Sequence, residues 1–142
     1  MENNIPIILN VEDSLKKDFE RLLEKDSPIK GNKRIFIMAM IKGFITNNRI
    51  KLKKKHDFVR IEYLSPEEKS IIKALALHES KDLAIYSNLK EIYSIAEEYA
   101  SGGIKCLNDE IFGKQHGTYV KRLESDLVEG VKNILKKEKN GK

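Results

Sequence analysis

A mainly α-helical α+β fold, with five or six helices packed in one domain and a small β element, is predicted by three observations. Apolar residues recur at helical spacing through most of the 142 residues. Only three prolines interrupt them, although 35% of the residues are charged. Strict apolar–polar alternation is confined to one stretch, around residues 49–63. An apolar content of 40% describes a chain that folds, and this length suffices to bury a core.

Ile5–Leu9 is a short run rich in β-branched residues, a possible strand that Pro6 restricts to an edge or to its own start. Between Glu12 and Lys25, Leu15, Phe19, Leu22 and Leu23 fall at i, i+4, i+7 and i+8, one face of an amphipathic helix. Glu12 and Asp13 suit its N-terminal dipole, and Asp26-Ser27-Pro28 ends it. Gly31-Asn32 precede a very apolar helix from Lys33 to about Thr46. Its Ile35, Phe36, Ile37, Met38, Ala39, Met40, Ile41, Phe44 and Ile45 are too many for one stripe. Such a helix is buried on several sides, either as the central core helix or as a core helix that also forms a dimer interface. Asn47-Asn48 ends it.

Arg49-Ile50-Lys51-Leu52-Lys53 alternates strictly, and Phe58–Tyr63 nearly so. This predicts a lysine-rich β-hairpin over residues 49–63 with Lys54-Lys55-His56-Asp57 as its turn, or else an extended arm. Ser65-Pro66-Glu67-Glu68 has the form of a capping box with proline in the first turn, opening a helix to about Ser80 that buries Ile71, Ile72 and Leu75. Asn88 with Glu91 repeats that logic for a helix carrying Leu89, Ile92, Ala96 and Tyr99, which Gly102-Gly103 would stop. A short helix with Ile104, Leu107 and Ile111 reaches Gly113. The last helix spans about Thr118 to Lys137, with Val120, Leu123, Leu127, Val131 and Ile134 on one face. The organisation is a single domain of a strand–helix–helix portion (1–46), the basic hairpin (49–63), a helical portion (65–137) and a flexible tail (138–142).

Charge is segregated along this framework. Between Ser27 and Arg60 stand ten Lys/Arg residues and one acid, Asp57. Residues 1–29 carry four basic and seven acidic side chains, and residues 61–100 carry four and eight. The net charge of +5 is modest, so the argument rests on distribution. A local cationic field of this kind most often meets nucleic acid. The residues expected to neutralise phosphates are Lys30, Lys33, Arg34, Arg49, Lys51, Lys53, Lys54, Lys55 and Arg60. Gly31, Asn32 and Lys33 add backbone amides at a helix N-terminus. Lysine outnumbers arginine here, which favours backbone contact over base readout. The competing account is a solvated strand whose lysines guard a sheet edge.

Other chemistry finds little footing. Glu97 and Glu98 form an acidic pair with no His or Asp at helical spacing to converge with them. They read as solvent-facing or as salt-bridge partners of the basic hairpin. His56, His78 and His116 are scattered, with no ligand spacing around them. Cys106 is the lone cysteine, so no disulfide or Cys-based zinc framework is expected and a reducing compartment suits the chain. No phosphate-binding glycine loop or nucleophile elbow is present. No enzyme activity, cofactor or metal is expected. The opening MENNIPIILNVED lacks a basic n-region, and no apolar run approaches a membrane span, so a cytoplasmic protein is expected.

Two resemblances bear on function. The first 46 residues, in the order strand, helix, Gly31-Asn32 turn and apolar helix, weakly resemble a ribbon-helix-helix module, which implies paired strands of two chains reading DNA. Ile5-Pro6-Ile7-Ile8-Leu9 departs from that pattern by offering no polar side chain for base readout. Residues 28–112 resemble the accessory proteins of DNA phosphorothioation (Dnd) systems called DNA phosphorothioation-associated protein 4. The stretches carrying this are PIKGNKRIFIMAMIKGF, LSPEEKSIIKALAL and IAEEYASGGIKCLNDEIF, with Glu97-Glu98-Tyr99-Ala100 and Gly102-Gly103 the most specific piece. The resemblance implies a prokaryotic defence locus that marks DNA with sulfur or restricts unmarked DNA. It supplies no catalytic residues. The expected function is a non-enzymatic DNA-binding accessory protein. Alternatives are a protein–protein adaptor without DNA contact and a dimeric transcriptional regulator. Expected partners are DNA and the protein subunits of a defence complex, with a homodimer possible.

Overall fold

A computed structural model describes residues 6–25, 27, 29–112 and 118–140, with side chains in the last stretch described over 125–136. The described elements are β1 (Ile8–Glu12), α1 (Lys16–Arg21), α2 (Asn32–Ile45), β2 (Lys55–Arg60), α3 (Pro66–Ser80), α4 (Leu89–Phe112) and α5 (Thr118–Asn140). Short 3-10 turns lie at Asp13–Leu15, Ile61–Tyr63 and Leu83–Ser87. The mainly helical α+β class with a small antiparallel sheet is the one the sequence predicts.

α2 is the hub. Every residue from Ile35 to Ile41 is buried, as are Gly43 and Phe44. A helix apolar on all sides needs cover on all sides. α4, α5 and β2 supply it within one chain, so α2 is the central core helix.

α4 lies along α2, and glycine explains how. The expected stop at Gly102-Gly103 does not occur: α4 runs unbroken from Leu89 to Phe112. Glycine costs a helix about 1 kcal/mol relative to alanine, but it removes Cβ. A Cβ on Gly103 would run into the Ala39 carbonyl of α2, and one on Gly43 into the Tyr99 carbonyl of α4. A Cβ on Gly102 would run into the Asn48 carbonyl. The three bare positions let two backbones and a connecting segment touch, and that contact outweighs the propensity cost.

The strands also differ from expectation. Residues 49–54 are not a strand, and no hairpin forms over 49–63. β2 instead pairs antiparallel with β1, in the register Glu12↔Lys55, Val11↔His56 and Leu9↔Val59, with an irregularity between Leu9 and Asn10. Alternation reports half-burial, not a pairing partner, and β1 lies more than forty residues upstream of β2. β1 begins three residues later than the expected start, and Ile5 lies outside the described residues. Its Leu9 and Val11 are fully buried. Its second edge meets α4: the Asn10 amide donates to Glu97 Oε2 (2.7 Å) and the Glu12 amide to Ser101 Oγ (3.0 Å). Both edges of β1 are therefore engaged within the chain, which does not fit a ribbon shared by two chains.

The first helix is shorter than its periodicity implies, a 3-10 turn followed by Lys16–Arg21, with Phe19 and Leu22 fully buried. Asp26 and Pro28 lie outside the described residues. The capping box of α3 is complete: Glu68 N–H donates to Ser65 Oγ (3.1 Å) and Ser65 N–H to Glu68 Oε1 (2.7 Å). Asn88 Oδ1 likewise accepts from the Glu91 amide at the start of α4 (3.1 Å). α5 buries Leu127 and Val131, while Ile134 is exposed. Gly113, His116 and the Val120 and Leu123 side chains lie outside the described residues. α5 continues to Asn140, past the expected end at Lys137. No helix among the described residues is long and apolar enough to cross a membrane.

Candidate nucleic-acid interface

The basic residues reach their places through the connection between α2 and β2. Asn47 takes a left-handed conformation (φ 57°), which asparagine tolerates better than most residues. The Asn48 amide donates to the Gly43 carbonyl (2.7 Å) and the Ile50 amide to the Glu98 carbonyl (3.1 Å). Between them Arg49 is clamped: Nε donates to Glu98 Oε1 (2.6 Å) and Nη1 to Glu79 Oε2 (2.7 Å). The Tyr99 hydroxyl donates to the other Glu79 oxygen. Burial and that bond to Glu79 push the Tyr99 hydroxyl up to about 12. Burial acts against the Arg49 charge, but Glu98 and Glu79 outweigh it and raise its pKa. Arg49 thus ties the connection to α3 and α4, with its charge paired to two carboxylates.

Beyond Arg49 the pattern reverses. The Glu12 carboxylate accepts the amides of Lys53 (2.6 Å) and Lys54 (3.3 Å) through Oε1. Its Oε2 accepts the Ser14 hydroxyl (3.0 Å) and amide (3.4 Å). These bonds, the Lys53 amide first, hold its pKa below the usual carboxylate value. The Asp13 amide donates to the Lys54 carbonyl (2.8 Å). The backbone of 53–54 is therefore fixed while the side chains of Lys51, Lys53, Lys54 and Lys55 are exposed. Lys51 and Lys53 have no side-chain partner among the described residues, and Lys54 has only a long contact to Asp13 (3.8 Å) with its side chain 78% exposed.

The remaining sequence-selected cations gather near the other end of β2. Asn32 Nδ2, in the first turn of α2, donates to the Phe58 carbonyl (2.8 Å). Lys33 Nζ contacts Glu68 Oε1 (3.3 Å) and the Tyr63 carbonyl (3.3 Å). Lys30 Nζ donates to the Lys25 carbonyl (2.9 Å), Arg34 is half-buried, and Arg60 pairs with Glu62 (3.3 Å). Gly31 (φ 95°) offers α2 no side-chain cap, and no acid stands in its first turn. Three steps along the strand, roughly 10 Å, separate Lys55 from Phe58. Two cationic groups thus flank β2, with Arg49 apart from both.

A cavity of about 460 Å³ adjoins the lysine segment. Pro6, Ile7, Ile8 and Asn10 of the β1 side, Lys55 of β2, and Lys90, Tyr93, Ser94 and Glu97 of α4 line it. Glu97 is buried, not solvent-facing as its sequence position implies, and Glu98 does pair with a cation of the basic stretch. Burial raises the Glu97 pKa, against the opposing pull of the Asn10 amide and the Lys55 charge. Among the described residues no group of three His, Cys, Asp or Glu side chains is placed to hold a metal ion.

Sequence reasoning missed Glu12, Asn10, Lys90, Ser94 and the burial of Glu97. Glu12 carried no signal beyond its suitability for a helix start, because the Lys53 and Lys54 amides that it accepts lie 41 and 42 residues away. Tyr93, Glu97 and Ser101 do repeat at i, i+4 and i+8, which places polar groups on one α4 face and could have marked it as the one meeting a strand.

A family model described as DNA sulphur modification system-associated protein 4 matches residues 11–141. The chain belongs to that family. The membership covers nearly the whole sequence and bears out the resemblance seen in residues 28–112. The description ties the family to a DNA sulphur modification system and supports an accessory role. No curated protein and no solved structure matches the chain.

Proposed function

We propose that this protein is a non-enzymatic accessory subunit of a DNA sulphur modification system and grips the DNA backbone through Lys51, Lys53, Lys54 and Lys55. The observation that carries this reading is the fixed backbone of 53–54 beneath exposed lysines. A loop already ordered loses little entropy on binding, so its charges act at full effect on phosphates. Lys30, Lys33, Arg34 and Arg60, with the uncapped end of α2, extend the contact along the same duplex. Arg49 drops out of the phosphate set, because Glu79 and Glu98 already neutralise its charge. Contacts of this kind position a duplex without reading its sequence.

The test is a titration of wild type and a folded K51E/K53E/K54E variant against a duplex at two salt concentrations. With about four phosphates neutralised by the lysine segment alone, and up to about eight with the second group, affinity should fall by about 100-fold to about 10,000-fold between 50 and 200 mM salt. The variant should bind far more weakly at either concentration. Binding that ignores both salt and the lysine changes would sink this reading.

An adaptor role has its own observation. A second cavity of about 700 Å³ is lined by Ala74, Leu77, His78, Lys81, Leu83, Tyr86 and Leu135. Leu83 is 69% exposed there and Tyr86 is 44% exposed. Exposed apolar groups around a groove fit a protein partner. Loss of such a partner on Leu83→Glu, with duplex affinity intact, would assign the two faces to two ligands.

A further inference from the structure

We propose that the cavity beside β1 receives one unpaired nucleotide, with its base against Glu97 and its phosphate between Lys55 and Lys90. The proposal rests on the DNA reading above and extends it by one site, since Lys55 belongs both to the lysine segment and to the cavity wall.

Three features select this ligand. First, Glu97 is 6% exposed, yet only Oε2 is used: it takes both the Asn10 amide (2.7 Å) and Asn10 Nδ2 (3.4 Å). Oε1 has no hydrogen-bond partner among the described residues. The side chain is buried, but this oxygen opens onto the cavity, which makes it an acceptor that a ligand's donor can reach. Second, Lys55 and Lys90 line the same space and outnumber Glu97 there, so an anionic group on the ligand is favoured. Ser94, with no side-chain partner among the described residues, adds a hydroxyl. Third, the rest of the wall is Pro6, Ile7, Ile8 and Tyr93, an apolar and aromatic surface suited to a flat ring. The volume falls within the roughly 300–1,000 Å³ of small-ligand sites. An amine donor, a flat body and an anionic tail together describe a nucleotide.

The free oxygen also sets a preference. A single acceptor suits a base with an exocyclic amine, as carboxylates accept from the cytosine N4 amine. Thymine presents a carbonyl oxygen at the matching position, which faces the Glu97 oxygen without a proton between them. The site thus favours cytosine over thymine where the base is out of the stack, as a mismatched or single-stranded base is.

The experiment compares three duplexes at fixed salt by fluorescence polarisation: fully paired, with one unpaired cytosine, and with one unpaired thymine. Wild type should bind the unpaired cytosine about tenfold more tightly than the unpaired thymine. Glu97→Gln keeps one oxygen for the Asn10 amide but turns the other position into a donor, so the ratio should fall to about one or invert. Lys90→Ala should weaken both unpaired duplexes by a similar factor. K51E/K53E/K54E should weaken all three duplexes together. A wild-type ratio near one, or a ratio untouched by Glu97→Gln in a folded variant, overturns the nucleotide site even where the duplex binds. If wild type binds no duplex at low salt, the lysine reading fails on its own. Titration with dCMP against dTMP, followed by NMR at Asn10 and Ser94, then decides the cavity separately, and equal shifts with both would overturn it.

Discussion

The connection between α2 and β2 has two halves that look alike in sequence and behave as opposites. Residues 46–50 contribute a cation that is spent inside the molecule, with Arg49 clamped by Glu79 and Glu98. Residues 51–55 contribute four exposed lysines over a backbone that Glu12 holds still. One half fixes the side chain, the other fixes the main chain and leaves side chains to the solvent. The difference teaches that charge along a chain and charge available to a ligand are separate quantities. Availability depends on where the nearest carboxylates fold to, and here all three, Glu12, Glu79 and Glu98, arrive from distant segments.

The first half breaks most severely at Gly102. A Gly102→Ala methyl would overlap the Asn48 carbonyl, where no flexible side chain can yield. A loss of about 3 kcal/mol, seen as a fall in Tm of about 10 °C, is expected from such overpacking. An unchanged Tm would mean that the connection does not bear on α4 as described.

The second half loosens at Glu12. Glu12→Gln leaves one acceptor oxygen where two served four donors, so Tm should fall at neutral pH. Because the folded chain lowers the Glu12 pKa below its ordinary 4.5, ionised Glu12 stabilises the fold above that value. That contribution fades as pH falls further, through the lowered value, so the gap between wild type and variant should close in acid. Glu97 has the opposite sign: its raised pKa means the folded chain holds a proton more readily, and its contribution weakens as pH rises above 4.5. Melting curves of Glu12→Gln and Glu97→Gln across this range should therefore depart from wild type in opposite senses.

The mildest change is Arg49→Ala. Its ion pairs are about one-third exposed, so solvent screening limits the loss to about 1 kcal/mol. The salt slope of duplex binding should stay where it was, because an arginine already paired releases no counterions from DNA. A slope reduced by about one unit would return Arg49 to the phosphate-binding set.

Local physics was legible in the sequence. Ser65 and Glu68 close a box three residues apart, and the apolar surplus of α2 marks the centre of the core whatever surrounds it. Failures came where a distant neighbour decides. The alternation over 49–53 is genuine, but its amides are met by a glutamate and a helix carbonyl instead of a strand. Gly102-Gly103 reads as a helix stop until a second backbone needs the space that a side chain would fill. The basic segment stands out in the sequence, whereas its division into clamped and exposed halves depends on Glu12, Glu79 and Glu98.

The sealed outer edge of β1 has a consequence for behaviour at high concentration. An open strand edge is a template on which another chain can grow a sheet, and proteins often post lysines there as guards. Here Glu97 and Ser101 occupy that edge from within. Lys51, Lys53 and Lys54 are thus not needed to guard β1, while Lys55 stays on β2, whose other edge pairs with no strand among the described residues. Neutralising Lys51, Lys53 and Lys54 should therefore not seed fibrils from β1.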